Sequence, residues 1–186
     1  MNETSRSIVL IGMMGAGKSS VGRCLHRRTG LALLDIDEIA ASTFGASIPQ
    51  IFFEHGEHEF RDAETRALRS VSLSEQAIIV TGGGIVLRKK NIELIRKLGL
   101  AVWLDGDEEV LFARASRKTD RPLLQKEEPR IVFSELFSAR NPLYTQIADI
   151  RVNTSHLTVE EATTAILSEL RKFNRRPGSS NPATTS

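Results

Sequence analysis

The chain has one cysteine, Cys24, in 186 residues. Without a second thiol there is no intramolecular disulfide and no cysteine cluster for zinc, so a reducing, cytoplasmic setting is expected. Long apolar runs are missing as well. The N-terminal stretch MNETSRSIVLIGMMG is apolar over only about eight residues and is interrupted by glycine, which predicts neither a signal peptide nor a membrane span. A strong charge of either sign is also absent: the formal net charge is +2, too small to imply nucleic acid and compatible with small anionic ligands. What remains is an ordinary globular composition, 40% hydrophobic and 26% charged, of a length that fits one domain.

Apolar, β-branched runs recur at 7–12, 31–37, 77–82, 100–106 and 148–154. Their near-continuous apolar character fits strands covered on both faces. Helical patterns lie between them: Val21, Cys24 and Leu25, then the region 53–71, then Ile92, Ile95 and Leu98. Gly30 and Gly99 sit where helix C-terminal caps belong, and Thr158 with Glu161 forms a capping box for a last helix. Ser47 with Gln50 forms another possible box, with Pro49 in its first turn. Such alternation predicts an α/β fold on a parallel sheet with right-handed crossovers. One domain is expected over 1–173, and 174–186, with nothing apolar to bury, is expected to be a disordered tail.

Gly12-Met-Met-Gly15-Ala-Gly17-Lys18-Ser19 matches G-x-x-x-x-G-K-[ST] between a strand and a helix. Glycine lets the loop wrap phosphate oxygens and aim N–H groups inward, and the following helix adds its positive end. Lys18 is placed to neutralise the β- and γ-phosphates, and the Ser19 hydroxyl to ligate magnesium. GTPases, motors and small-molecule kinases all use such a loop. No N-K-x-D follows the fourth strand, which argues against a GTPase. In many nucleotide hydrolases the third strand ends in a carboxylate, whereas here IIVTGGGIV ends in Gly82, Gly83 and Gly84. Three glycines permit a backbone approach that a Cβ would obstruct.

The carboxylates sit on the second strand instead, in LLDIDE. On an extended segment Asp35 and Asp37 point to one side, at the strand ends that line the ligand crevice. Asp35 then reaches magnesium through water and Asp37 faces whatever lies beyond the γ-phosphate. Alternatively, Asp37 caps a helix over 38–44.

GMMGAGKSS, LLDIDE, SIPQIFFEHGEHEFRDAE, TGGGIV, DRPLL and ARNPLY, in this order, closely resemble the motif set of the shikimate kinases, over about residues 8–170. The resemblance implies a three-layer P-loop fold like that of nucleoside monophosphate kinases, with a five-stranded parallel sheet in the order 2-3-1-4-5. It also implies a substrate-binding helical region at about 37–72 and a mobile lid at about 115–130. The implied reaction moves the γ-phosphoryl of ATP, with Mg²⁺, to the 3-hydroxyl of shikimate, on the way to chorismate and aromatic amino acids. Carried over residue by residue, Gly15, Ala16, Gly17, Lys18, Ser19 and Ser20 would bind ATP, with Arg114 beside the adenine and Arg121 on the lid. Ser19, and Asp35 through water, would serve the metal. Asp37 would hold shikimate hydroxyls and take the proton, making Lys18, Asp37 and Arg121 the catalytic set. Arg61 and Arg140 would grip the carboxylate beside Gly82, Gly83 and Gly84, with Glu64 one turn along orienting Arg61.

A monomer with small-molecule partners is expected, without nucleic acid or membrane. The rivals are a gluconate-type small-acid kinase and a nucleotide-binding regulatory module with a decayed acceptor site; intact Asp37, Arg61 and Arg140 argue against decay. The pattern departs after the last strand, where Asn153, Ser155 and His156 stand in place of an arginine that often frames the adenine. His55 and His58 share a helical spacing, but Gly56 between them and the want of a third ligand point to a solvated face. His26 is expected on the surface, and Cys24 and Trp103 in the core. Arg171, Lys172, Arg175 and Arg176 fit a solubilising helix end better than a nucleic-acid site.

Overall fold

The structure, a computed structural model, describes residues 6–117, 122–124 and 127–175. Five strands, β1 (Ser7–Ile11), β2 (Ala32–Asp35), β3 (Ala77–Val80), β4 (Gly99–Asp105) and β5 (Ile150–Asn153), form one sheet in the order β2-β3-β1-β4-β5. Every neighbouring pair is parallel, with Leu10 opposite Val80 on one side and Val102 on the other. β1 and β4 are buried along their whole length, as their unbroken apolar sequences require. The two edge strands depart from that pattern: Ile150 and Val152 of β5 face the core while Arg151 and Asn153 face outward, and β2 is only half buried.

The helices on both faces are α1 (Lys18–Thr29), α2 (Ile36–Ser42), α3 (Ile48–Glu54), α4 (Gly56–Ser70), α5 (Lys89–Leu98), α6 (Glu108–Ala115), α7 (Pro129–Ile147) and α8 (Val159–Asn174). The helical region expected at 53–71 is two helices, broken where Gly56 takes a φ of 79°. The break folds Phe52 of α3 onto Phe60 of α4, with ring centroids 5.2 Å apart. Both capping boxes form: the Gln50 carboxamide accepts from the Ser47 N–H at 3.0 Å, and the Glu161 carboxylate from the Thr158 N–H at 2.8 Å. Gly30 caps α1 with a left-handed φ of 74° and donates to the His26 carbonyl. Gly99 also donates into the end of its helix, to Ile95, but from an extended conformation that opens β4.

Cys24 and Trp103 lie in the core, while His26, His55 and His58 lie outside it. Among the described residues no group of three metal-type ligands forms, and no helix is long and apolar enough to cross a membrane. α8 runs to Asn174, one residue past the expected domain end. The rest of the expected tail, from 176, lies outside the described residues, as do 118–121 and 125–126 of the expected lid. All five strands run the same way, so their carboxyl ends share one rim, and the connections leaving β1, β2 and β3 meet there.

Candidate active site

The loop leaving β1 is shaped by packing as much as by its own sequence. Gly12 and Gly15 have φ of 137° and 86°, and a Cβ on either would run into a backbone carbonyl, that of Leu104 at the end of β4 or of Leu111 in α6. Gly17, at φ 88°, has open space around it and is required by its dihedral alone, as the residue that starts α1. Lys18, in the first turn of α1, folds over the loop and donates to the carbonyls of Gly12 at 2.7 Å and Met13 at 3.1 Å. Gly15, Ala16, Gly17, Lys18, Ser19 and Ser20 all line a cleft of about 660 Å³. Its wall on the other side is the segment after β5 together with α8. There the Arg114 guanidinium donates to the carbonyls of Thr154 at 3.0 Å and Ser155 at 2.9 Å, so Arg114 lines the cleft while bracing its far wall. Ser155 is buried and accepts from the Asp107 N–H, Asn153 holds the turn by accepting from the Ser155 N–H, and His156 is exposed. None of Asn153, Ser155 and His156 lines the cleft, whose wall at this end is Thr154, Leu157, Thr158, Val159 and Ala162.

The D-x-D pair takes a different form from the expected extended one. The strand stops at Asp35, which is the N-cap of α2, its Oδ1 accepting from the N–H of Asp37 at 3.0 Å and of Glu38 at 3.4 Å. Asp37 therefore stands in the first helical turn and does not cap the helix. Both aspartates still line the cleft. Asp37 is driven inward, its Oδ1 buried without a hydrogen-bond partner. Burial, and next the Asp35 charge, push its carboxyl above the usual range, while Lys18 and Arg61 act the other way.

Past the phosphate loop, a smaller cavity of about 90 Å³ lies over the end of β3, bounded by Asp37, Arg61, Arg140 and the three glycines. Arg61 is 8% exposed and Arg140 2%, burial that a guanidinium tolerates only among compensating groups. Arg61 has them: Nη1 donates to Glu64 Oε2 at 2.7 Å, Nε and Nη2 to Glu57 Oε1 at 3.1 and 2.7 Å, and the rings of Phe52 and Phe60 lie 5.9 and 5.7 Å from its centre. Arg140 is poorer, with Nε buried and unpartnered, and burial pushes its pKa down.

The glycines differ in what demands them. A Cβ on Gly82 would lie 2.7 Å from Glu64 Oε1 and closer still to Asp37 Oδ1, and one on Gly84 would strike the Arg61 guanidinium. At Gly83 the nearest atoms would be at 3.4 Å or beyond, ordinary contacts. The close approach expected of a ligand is made at 82 and 84 by the protein's own side chains, whereas a Cβ on Gly83 would meet only ordinary contacts from Arg140, Gly12 and Met14, and all three glycines border the smaller cavity. All three carbonyls are engaged, Gly82 by the Ile85 N–H, Gly83 by the Tyr144 hydroxyl and Gly84 by the Leu87 N–H.

Glu64, fully buried beside Asp37, has its carboxyl pushed by burial up to about 7, against the pull of Arg61. The folded protein therefore holds this proton more tightly than the unfolded chain, and the stability gained is complete below about pH 4.5 and lost as pH rises through 7. Denaturant titrations should show the parent losing more stability across that window than Glu64→Gln, which has no proton to lose at 64 and keeps only the neighbouring Asp37, itself raised by burial. Parallel pH dependence in the two proteins would refute the assignment.

Arg121, expected on a lid, lies outside the described residues. Expectations from the sequence overlooked Tyr144, Glu57, Phe52, Phe60 and Thr154. Of these, Glu57 and Tyr144 had a signal, a spacing of four from Arg61 and from Arg140; the others meet the site only through the fold.

A family model described as shikimate kinase matches residues 14–171. The chain is 38% identical over 169 residues to a shikimate kinase of Thermodesulfovibrio yellowstonii, covering 91% of this chain and 97% of that one. It is 40% identical over 177 residues to a shikimate kinase of Xanthomonas axonopodis pv. citri, covering 95% and 97%. Among solved structures, the shikimate kinase from Acinetobacter baumannii in complex with shikimate superimposes with a TM-score of 0.88 at 34% identity, covering 94% of this chain and 97% of that one.

Proposed function

This chain belongs to the shikimate kinase family, and we propose that it catalyses that family's phosphoryl transfer with the side chains gathered at the carboxyl rim of its sheet. The observation that carries the reading is the convergence of two buried arginines, Arg61 and Arg140, on one glycine run beside Asp37, next to the phosphate loop. Buried guanidiniums that line an open cavity suit a carboxylate, which they can bind through paired charge-assisted hydrogen bonds.

In this reading ATP lies in the larger cleft with its phosphates along Gly15–Ser20, and Lys18 turns from the Gly12 and Met13 carbonyls to the β- and γ-phosphates. Shikimate enters the smaller cavity, its carboxylate on Arg61, Arg140 and the glycine N–H groups. Its 3-hydroxyl oxygen attacks the γ-phosphorus while the bond to the β–γ bridging oxygen breaks, the hydroxyl proton passes to Asp37, and ADP leaves. Ser19 and Asp35 suit Mg²⁺: both line the cleft, and Asp35 caps α2 through Oδ1 alone, leaving Oδ2 for a metal-bound water. When bound, the ion neutralises charge on the phosphates. Arg121 is assigned to lid closure on the resemblance alone. These groups all come from one chain, so a monomer suffices, and the single cysteine suits a reducing cytoplasm.

A coupled assay for ADP tests the reading. ADP should form with shikimate and Mg²⁺ together, and fall to a small fraction of that rate without shikimate, with gluconate in its place, or with EDTA. The same rate without shikimate would sink the kinase assignment, and stimulation by gluconate alone would favour the gluconate-type rival.

A further inference from the structure

We infer that Tyr144 is a positioning residue for the acceptor site, its hydroxyl fixing the peptide between Gly83 and Gly84 and so the orientation of the backbone that meets the substrate carboxylate. The inference rests on the acceptor site proposed above. Tyr144 is fully buried in α7, one turn beyond Arg140, and its hydroxyl donates to the Gly83 carbonyl oxygen at 2.5 Å.

The three glycine carbonyls are held in two ways. Those of Gly82 and Gly84 are closed by local turns, accepting from N–H groups three residues on, at Ile85 and Leu87. The Gly83 carbonyl is bonded across 61 residues of sequence by a side chain of another element. With no Cβ on either flanking residue, that peptide has little of its own to resist rotation. Among the described residues no peptide bond is cis, so C=O and N–H point in opposite directions, and holding the Gly83 carbonyl against Tyr144 turns the Gly84 N–H the other way. The Tyr144 ring cannot yield easily, because it packs 5.9 Å from Trp103, itself buried in β4. The Arg140 guanidinium lies beside the same glycine, Nη1 being 3.4 Å from where a Gly83 Cβ would stand. One hydroxyl thereby sets α7, which carries one carboxylate ligand, in register with the glycine run. Burial pushes the phenol well above its usual pKa, so it remains a donor throughout the working range.

Tyr144→Phe removes the hydroxyl and keeps the ring. It should raise the shikimate KM about five- to tenfold, the size of one lost hydrogen bond, while the ATP KM stays within about twofold. Thr163→Val, which deletes another buried hydroxyl bonded only to a carbonyl of its own helix, should leave the shikimate KM unchanged. Tyr144 is the chain's single tyrosine, so uniform incorporation of 3-fluorotyrosine labels it alone. Its ¹⁹F resonance should move on adding shikimate and stay put on adding ADP, a readout that does not need the phenylalanine variant to fold. A parental shikimate KM in Tyr144→Phe, equal rises in both KM values, or a resonance indifferent to shikimate would overturn the inference. If Arg61→Ala and Arg140→Ala also bound shikimate normally, the acceptor site itself would be misplaced. Loss of binding in those two variants with a parental Tyr144→Phe would leave the site standing and remove only the tyrosine.

Discussion

Asp37→Asn is expected to lower kcat by roughly 10²- to 10⁴-fold, the usual range for a general base, with shikimate and ATP still able to bind. Asp37 lines both cavities at their junction, and asparagine keeps its size while losing its capacity to accept a proton. Asp35→Asn is the contrasting variant. Asparagine caps helices as well as aspartate does, so α2 should survive and the chief change should be a higher Mg²⁺ requirement. Steady-state rates at saturating substrates, followed by magnesium titration of each variant, separate the two. Equal losses, both repaired by excess magnesium, would assign both aspartates to the metal.

The second large effect concerns the paired arginines. Removing one member of a desolvated charge pair commonly costs about 2 to 5 kcal/mol, so Arg61→Ala or Arg140→Ala should weaken shikimate binding by at least about 30-fold. Calorimetric titration with shikimate, and with an ATP analogue as the check on folding, measures this directly. Arg140→Ala is the cleaner test, because Arg140 has few protein partners to strand. Arg61→Ala leaves the fully buried Glu64 without its cation and should also lower the melting temperature. Pairing it with Glu64→Gln removes the stranded carboxylate and should restore melting without restoring shikimate binding. Normal shikimate affinity in both arginine variants would place the carboxylate elsewhere.

Much of this architecture is legible in the sequence because it is local. An apolar run closing in glycine, lysine and serine predicts strand, loop and helix, and the fold supplies them at Ser7–Thr29. Capping boxes at Ser47 and Thr158 are equally local. The order 2-3-1-4-5 came from resemblance, since periodicity marks strands without saying which pair. At Asp35 the pattern misled: reading D-x-D as extended overlooked that Asp35 with Glu38 three residues on is itself a helix-start signature. The roles of the glycines divided for a different reason. That Gly82 faces two carboxylates, Gly84 the Arg61 guanidinium and Gly83, at ordinary contact distance, that of Arg140 depends on how α4 and α7 settle on the sheet, and nothing in GGG encodes it.

The wedging of Gly12 against β4 and Gly15 against α6 has a thermodynamic consequence for nucleotide affinity. A phosphate cradle clamped by the carbonyls of Leu104 and Leu111 has little freedom left to lose, because its ordering entropy was surrendered when the sheet and α6 assembled. Ligand binding to such a preorganised loop avoids the cost of immobilising it, about 1 to 2 kcal/mol of backbone entropy per residue. Loosening either contact, even far from any phosphate, would therefore reappear as weaker ATP binding with an unfavourable entropy, although every group that touches the nucleotide remained in place.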